Sequence, residues 1–418
     1  MVEVNRRRFL LASAGVGVGA AGLLTGVVGC GTSDLPRPGD ARTLGDNDGV
    51  LVIVTLYGGN DGLSTVIPHA DNAYQDARPD LAYAPSEVLP LDAQLGLNPA
   101  MTGLSQLWSE HQLAIVRGVS YPKPDRSHFR SMDIWQTASP KEPVSTGWIG
   151  RWLDATGDDP VRAINIGAVL PLMAVGAKQA ASTLAGDSSP VSSQVSESLT
   201  ALGAADPHDS PAMSAVCSAY RSTRAFGAAV SPVLGTAAPT VSIDPLAGGL
   251  TFTAAASNAP NPLSDRLNVV SKCIKAGLPT RVYMVALGGF DTHADERPTQ
   301  QHLLEVLDRG LTPFLRDMST DRHGKNVVVM VYSEFGRRVV ANASHGTDHG
   351  TAGPVFVAGV PVKGGFYGEE PSLTDLDDGD LKGSIDFRDI YHEVLSKTVG
   401  ADPEPAVGTG RTDIGFLA

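Results

Sequence analysis

The sequence predicts an α/β fold built on a doubly wound, mostly parallel sheet with helices on both faces. Three observations carry that expectation. Apolar runs of strand length alternate with segments of helical periodicity along most of the 418 residues. The run Val327–Val331 is unbroken and mostly β-branched, as suits a central parallel strand covered on both sides. Polar residues collect just past the ends of such runs, where open α/β sheets gather their ligands.

The elements follow in order. Residues 1–29 contain Asn5-Arg6-Arg7-Arg8-Phe9-Leu10 and then an uncharged stretch to Gly29. The arginine pair followed by Phe and Leu looks like a twin-arginine export signal. Phe9 to Gly29 is also long enough for a membrane span, but its six glycines make it weakly hydrophobic. Val27-Val28-Gly29-Cys30 resembles a lipoprotein cleavage box in which Cys30 becomes the lipidated N-terminus. The expected destination is the cell envelope, periplasmic or extracellular, with membrane association through the signal or a lipid on Cys30. Export by this route follows folding, so any metal is acquired before crossing. Residues 30–49 are rich in Gly, Pro and Asp and read as a flexible tether.

A single domain is expected over 50–400. Val50–Leu56 is its first strand, ending in Gly58-Gly59-Asn60-Asp61-Gly62. Asn98-Pro99 signals a helix start, with Met101, Leu104, Leu107 and Trp108 at helical spacing. Leu113–Val119 is a second strand, and the turn after it opens a helix through Trp135. Residues 177–262 are biased to Ala, Ser and Pro and read as an inserted cap or surface excursion, with one helix over 211–229. Ser264 is placed to cap a helix that Gly277 closes. A strand over 281–287, a helix over 299–318 and the strand from Val327 follow. Asp386 caps a last helix that stops at Gly400, and 401–418 form a C-terminal tail.

Charge narrows the partners. The formal charge is −13, and removing residues 1–29, which carry a net +2, leaves −15. Nucleic acid is a poor partner for a chain that acidic. A small anionic substrate requires a metal or local arginines to reverse the field. Beyond Cys30 only Cys217 and Cys273 remain, and one disulfide or two buried thiols are both compatible with the sequence.

Four strand ends carry polar clusters: Asp61; Ser127 with His128; Asp291 with His293; and Glu334 with His345, Asp348 and His349. Oxygen and imidazole donors from different strand ends suit a divalent site, because an ion must be gripped from several directions. Each cluster also has a plain structural reading. Asp61 between glycines can stabilise a turn, Ser127 can cap a helix, and Glu334 can pair locally with Arg337. Asp291 and His293, two apart on extended backbone, share a face and favour a ligand role. His345 lies in a Gly/Ser/Asn-rich loop and reads as solvated.

Taken together, Gly58-Gly59-Asn60-Asp61-Gly62, Arg126-Ser127-His128-Phe129, Gly289-Phe290-Asp291-Thr292-His293, Ser333-Glu334-Phe335-Gly336-Arg337 and Thr347-Asp348-His349-Gly350 resemble the bacterial domain of unknown function 1501 family. That family is grouped with the alkaline phosphatase and sulfatase clan, in which a metal-binding His precedes a Pro-led apolar strand, as His349 precedes Pro354–Gly359. The resemblance spans roughly 50–400 and implies an alkaline phosphatase-like type of sheet. It implies Asp61, Asp291, His293, Glu334, Asp348 and His349 as metal ligands and Ser127 as the nucleophile. Arg126 and Arg337 would neutralise charge developing on phosphorus or sulfur. The cofactor would be one or two divalent ions: Zn, Mn, Mg or Ca. Phe335 stands where many clan members carry a second His, which weakens the case for a full two-zinc site and favours one ion or a harder, oxygen-liking metal.

Two functions follow from these residues. One is an exported metal-dependent hydrolase of phosphate or sulfate esters, acting on a small anionic ester or an envelope polymer. The other is a non-catalytic envelope binding or assembly protein on the same fold, with a protein partner.

Overall fold

Eight residues, VLVIVTLY, form the central strand β1 (Val50–Tyr57), and all but Tyr57 are buried. The computed structural model describes residues 43–184, 193–204, 206–234 and 261–418. In it β1 belongs to a nine-stranded sheet with β2 (Leu113–Ser120), β3 (Ala163–Ile166), β4 (Ser182–Leu184), β5 (Val282–Gly288), β6 (Val327–Ser333), β7 (Gly353–Ala358), β8 (Gly365–Tyr367) and β9 (Ile385–Asp386). The order is β8-β2-β7-β6-β1-β5-β3-β4, and β9 also pairs with β2. Every pairing is parallel except those of β7, which runs against both β6 and β2.

The helices cover both faces. Val50, Val52, Val54 and Leu56 enter one core, and Leu51 and Ile53 enter the other. β1 is paired along both edges and covered on both faces, so its side chains need no polar alternation. Of the larger helices, α1 (Thr102–Ser109), α4 (Pro211–Leu234), α5 (Pro262–Lys275) and α6 (Glu296–Thr320) supply the first core. The second takes α2 (His128–Thr137), α3 (Trp148–Thr156) and α7 (Phe387–Glu393). The α/β architecture expected from the sequence is the one observed.

Several boundaries move for local reasons. The helix expected at Asn98 begins at Thr102. Asn98 is buried and uses its side chain otherwise: Nδ2 donates to Ser64 O at 2.8 Å, and Oδ1 accepts the Ala100 N–H at 3.0 Å. The cap of α5 is Asn261, whose Oδ1 accepts from Leu263 and Ser264, with Pro262 opening the helix. Within 177–262, α4 runs past the expected end at residue 229 to Leu234 and packs Phe226 and Val230 into the first core, while β4 extends the sheet. Cys217 and Cys273 are buried thiols, not joined in a disulfide.

The export signal expected over 1–29, Cys30 and most of the 30–49 tether lie outside the described residues. The end of that tether is already part of the fold: Leu44 is buried and its N–H donates to Gly277 O at 2.9 Å. Among the described residues no helix is long and apolar enough to cross a membrane.

Residues 401–418 are packed against the domain, with Phe416 and Leu417 in the second core. Buried Glu393 holds them there by accepting N–H bonds from Ile414, Gly415 and Leu417 at 2.6, 2.7 and 2.6 Å. Charge-assisted bonds of this kind are stronger than neutral ones, and Glu393→Ala leaves three donors stranded. The substitution should lower stability by about 3 kcal/mol, read as a lower urea midpoint with an unchanged slope. An unaltered midpoint would contradict this anchoring role.

Candidate metal centre

The site lies at the edge where β1, β2, β5 and β6 end. Because β7 is antiparallel, the loop before it returns to that same edge and brings His349 with it. Two glycines let the loops close. Gly58 (φ +118°) is so near the next loop that a Cβ would stand 2.4 Å from Asp291 N, and one on Gly59 (φ +72°) would stand 2.2 Å from the Phe335 ring.

Arg337 binds these loops together. Its Nε donates to Gly59 O at 2.7 Å and Nη1 to Thr347 O at 3.0 Å. Nη2 donates to Gly58 O, to Phe290 O at 2.9 Å and to Asp291 Oδ1 at 2.8 Å. The side chain is 0% exposed. This corrects the expectation that Arg337 would meet the substrate: its donors are committed to loop carbonyls, and it acts by fixing Asp291.

Asp291 Oδ1 is the centre of a ring of imidazoles. It lies 3.3 Å from His128 Nε2, 3.0 Å from His293 Nε2 and 3.1 Å from His349 Nε2. His293 Nε2 and His349 Nε2 are 3.0 Å apart. Four donors around one tetrahedral Zn²⁺ at about 2.0–2.1 Å would stand roughly 3.4 Å from one another. The observed spacings are close to that.

The proton positions sharpen the argument. His128 Nδ1 faces Glu334 Oε1 at 2.8 Å, and His349 Nδ1 faces Arg126 O at 2.8 Å. A carboxylate and a carbonyl can only accept, so each Nδ1 carries a proton, and in the neutral form of either ring the lone pair is on Nε2, the atom that faces Asp291. His128 Nε2 is buried and has no hydrogen-bond partner. Burial would push Asp291 up, but the interactions led by the Arg337 bond outweigh it and bring the carboxyl down to about 2. Burial pushes His349 down, favouring its neutral form, whereas the Glu334 bond pushes His128 up. Two imidazole nitrogens converging on an ionised carboxylate fit a divalent cation.

Glu334, expected as a ligand, is placed one layer back. Oε1 accepts from Gly58 N at 2.9 Å as well as from His128, and Oε2 accepts from the Ser333 hydroxyl at 3.0 Å. It orients His128 and raises its basicity. Phe335 is buried beneath the rings of His128 and His349, with centroids 4.9 and 4.8 Å away. Asp348 lies behind His293, Oδ1 to Nδ1 at 3.4 Å. His128 was not assigned a role from sequence; its place beside Ser127 in the Arg126–Phe129 motif was the available signal.

The side chains of the other expected residues make no contact with Asp291 that the structure records. Ser127 occupies the cap position of α2 but makes no side-chain cap bond, so the simple capping role does not account for it. The Arg126 side chain pairs with Asp378 and Asp380. His345 is exposed and 3.3 Å from Asp80.

Asp61 is sealed away from the imidazoles. Arg78 grips both its oxygens, at 2.5 and 3.0 Å, and both side chains are fully buried. Burial alone would raise Asp61, but the guanidinium outweighs it and draws the carboxyl down. Glu296, buried nearby with its Oε2 bonded by the Thr347 hydroxyl, is pushed up by burial and then by the Asp61 charge. One arginine thus faces two acids, and the second keeps its proton.

With this geometry in view, known proteins can be compared. The family model described as "Protein of unknown function (DUF1501)" matches residues 266–411. That span holds Asp291, His293, Glu334, Arg337 and His349. No curated protein matches the chain. Among solved structures the chain is similar to a protein in the alkaline phosphatase superfamily from Vibrio parahaemolyticus, at 9% identity and TM-score 0.36, covering 79% of this chain and 64% of that one. It therefore spans less than two thirds of that relative. It is also similar to the C-terminal periplasmic domain of EcEptC from Escherichia coli in complex with Zn (10%, TM-score 0.35, 75% and 73% covered). A third is murine ectonucleotide pyrophosphatase/phosphodiesterase 5 in complex with AMP (9%, TM-score 0.41, 89% and 100% covered).

Two measurements test the site. Glu334→Gln should weaken Zn²⁺ binding about 10- to 100-fold by calorimetric titration; equal affinity would remove the supporting role given to Glu334. A carboxyl raised in the folded state gives stability that is complete below the ordinary carboxyl range and is lost as pH rises. Glu296→Gln should therefore flatten the decline in stability between about pH 5 and pH 9. Urea titrations across that range check this, and parallel curves for the two proteins would refute it.

Proposed function

We propose that this chain is a divalent-metal-dependent hydrolase of phosphate or sulfate esters. The observation that carries the reading is the convergence of the His128 and His349 Nε2 atoms on ionised Asp291 at a solvent-open strand edge. His128, Asp291 and His349 form a group able to hold one ion, and His293, 3.0 Å from Asp291 Oδ1, supplies a further donor. A bound divalent ion supplies Lewis-acid charge for an anionic ester. Nitrogen-rich donors of this kind favour Zn²⁺ over Mg²⁺ or Ca²⁺, and a single ion is favoured because Arg78 neutralises the carboxylate that a second would need.

The chain's own residues set the rest. Ser127 precedes the His128 ligand with its hydroxyl uncommitted to the helix, and α2 begins there with N–H groups suited to an anion. Ser127 Oγ forms the bond to phosphorus or sulfur as the ester bond breaks; its proton passes to solvent and the departing alkoxide takes one up. Water then cleaves the Ser127 ester and restores the hydroxyl. The signal read at 1–29 and Cys30 belongs with an envelope location, and an envelope polymer or small ester remains the proposed substrate class.

The competing reading, a binding or assembly protein with a structural ion, draws support from the Asp61–Arg78 pair, which removes one expected ligand from reach. Turnover separates the two. Ser127→Ala should abolish hydrolysis of p-nitrophenyl phosphate and p-nitrophenyl sulfate while metal content measured by elemental analysis stays that of the wild type. Undiminished hydrolysis would eliminate Ser127 as nucleophile, and a metal-loaded wild type with no turnover would favour the binding protein.

A further inference from the structure

His349 is held from two sides by loops that supply no donor to Asp291 at those points. Its ring Nδ1 faces Arg126 O, in the loop after β2, at 2.8 Å. Its backbone runs beside the loop after β6: the Arg338 N–H donates to Asp348 O at 3.0 Å, and the Gly350 N–H donates to Gly336 O at 2.9 Å. Arg126 and Arg338 thus flank His349, and the side chains of both turn to one carboxylate.

Asp380 supplies it. Its Oδ2 accepts from Arg126 Nε at 2.6 Å and Nη2 at 2.5 Å, while Oδ1 faces Arg338 Nε at 3.7 Å. Asp378 meets the same two arginines at 3.0 and 3.8 Å, but its side chain is 78% exposed and that of Asp380 is 0% exposed. An ion pair open to solvent holds little. A carboxylate closed to solvent and bonded twice by one guanidinium is the firmer anchor.

The carboxylate is itself fixed in place. Asp377 and Asp380 exchange two backbone N–H bonds of 3.0 Å, Thr351 Oγ1 donates to Leu381 O at 2.7 Å, and the Ser384 N–H donates to Gly118 O at 2.8 Å. Segment 377–384 is therefore a strap tied to β2 and, through Thr351, to the residues that follow His349.

We infer that Asp380 is a positioning residue of the metal centre: by holding the Arg126 side chain it keeps the Arg126 carbonyl on His349 Nδ1, and so leaves His349 Nε2 free for an ion. The functional half of this rests on the metal-dependent reading proposed above. A neutral imidazole has one proton for two acceptors, Arg126 O at Nδ1 and Asp291 Oδ1 at Nε2. Weakening the first contact hands the proton to the second and covers the nitrogen that an ion needs.

The test is nitrogen-15 NMR of the histidine rings in the full chain, metal-free and with one equivalent of Zn²⁺, joined to calorimetric Zn²⁺ titration. His349→Gln assigns the signal. In the wild type the His349 Nδ1–H should be protected from exchange with water by its bond to Arg126 O. Asp380→Ala should lose that protection and bind Zn²⁺ about tenfold more weakly. Arg126→Ala, at a partly exposed side chain, should do the same, and the double variant should be no worse than either single one. Asp380→Asn keeps one oxygen for both Arg126 nitrogens and should restore the protected signal. Asp378→Asn, at a position with φ +51° that Asn tolerates, should match the wild type in signal and affinity. A pair serving stability alone would lower the unfolding midpoint and leave the Nδ1–H as it is. An unprotected wild type, a protected signal or unchanged affinity in Asp380→Ala, additive losses in the double variant, or an equal loss in Asp378→Asn overturns the proposal. The two readings fail separately. A wild type that takes up no Zn²⁺ sinks the metal centre, while the metal-free spectra of the wild type and Asp380→Ala still decide whether Asp380 positions His349.

Discussion

The buried guanidinium of Arg337 is the constraint from which the rest of the site follows. Four carbonyls, from the loops after β1 and β5 and from the loop before β7, converge on it together with Asp291 Oδ1. A planar group with donors in a fixed fork can satisfy that many acceptors at once; a lysine ammonium cannot. The arrangement brings three segments distant in sequence to one point. It also leaves Asp291 ionised and immobile among the imidazoles. A buried arginine of this kind is stable only because its donors are met, and the same condition keeps it from serving substrate.

Topology supplies what Arg337 cannot. In a purely parallel sheet the segment preceding a strand lies at the far edge from the strand ends, and His349 would be there. The reversal of β7 puts it at the near edge, where Phe335 supports its ring from below and Arg126 O fixes its tautomer. Behind this layer Arg78, Asp61, Glu296 and Thr347 form a second buried network. Through the Thr347 hydroxyl bond to Glu296 Oε2 it holds the Thr347–His349 loop against the start of α6, and so helps to place His349.

The fold was readable in the sequence because it depends on local pattern. Unbroken apolar strands, helical spacing and Gly277 as a terminator require no distant information. That Asp291, His293 and His349 would lie together was readable for a similar reason: ligand-type residues at strand ends. The failures are long-range. Nothing near Asp61 indicates that Arg78 will claim both its oxygens, and nothing near Arg337 indicates that four carbonyls will enclose it. Glu334 looked like a ligand because its residue type is right; only its distance to His128 Nδ1 assigns it the supporting role. Phe335, which read as a missing histidine, is the floor under the two rings. The cap of α5 went to Asn261 over Ser264 by a shift of three residues, a choice that local sequence leaves open.

The central claim is that His128, Asp291 and His349 converge to hold one divalent ion. X-ray absorption at the zinc edge, on protein loaded with one equivalent of Zn²⁺, tests it most directly. The account predicts a four-coordinate shell of nitrogen and oxygen at about 2.0–2.1 Å, with the outer-shell scattering of at least two imidazoles. A spectrum like that of the hydrated ion, with an all-oxygen shell and no imidazole contribution, would contradict it.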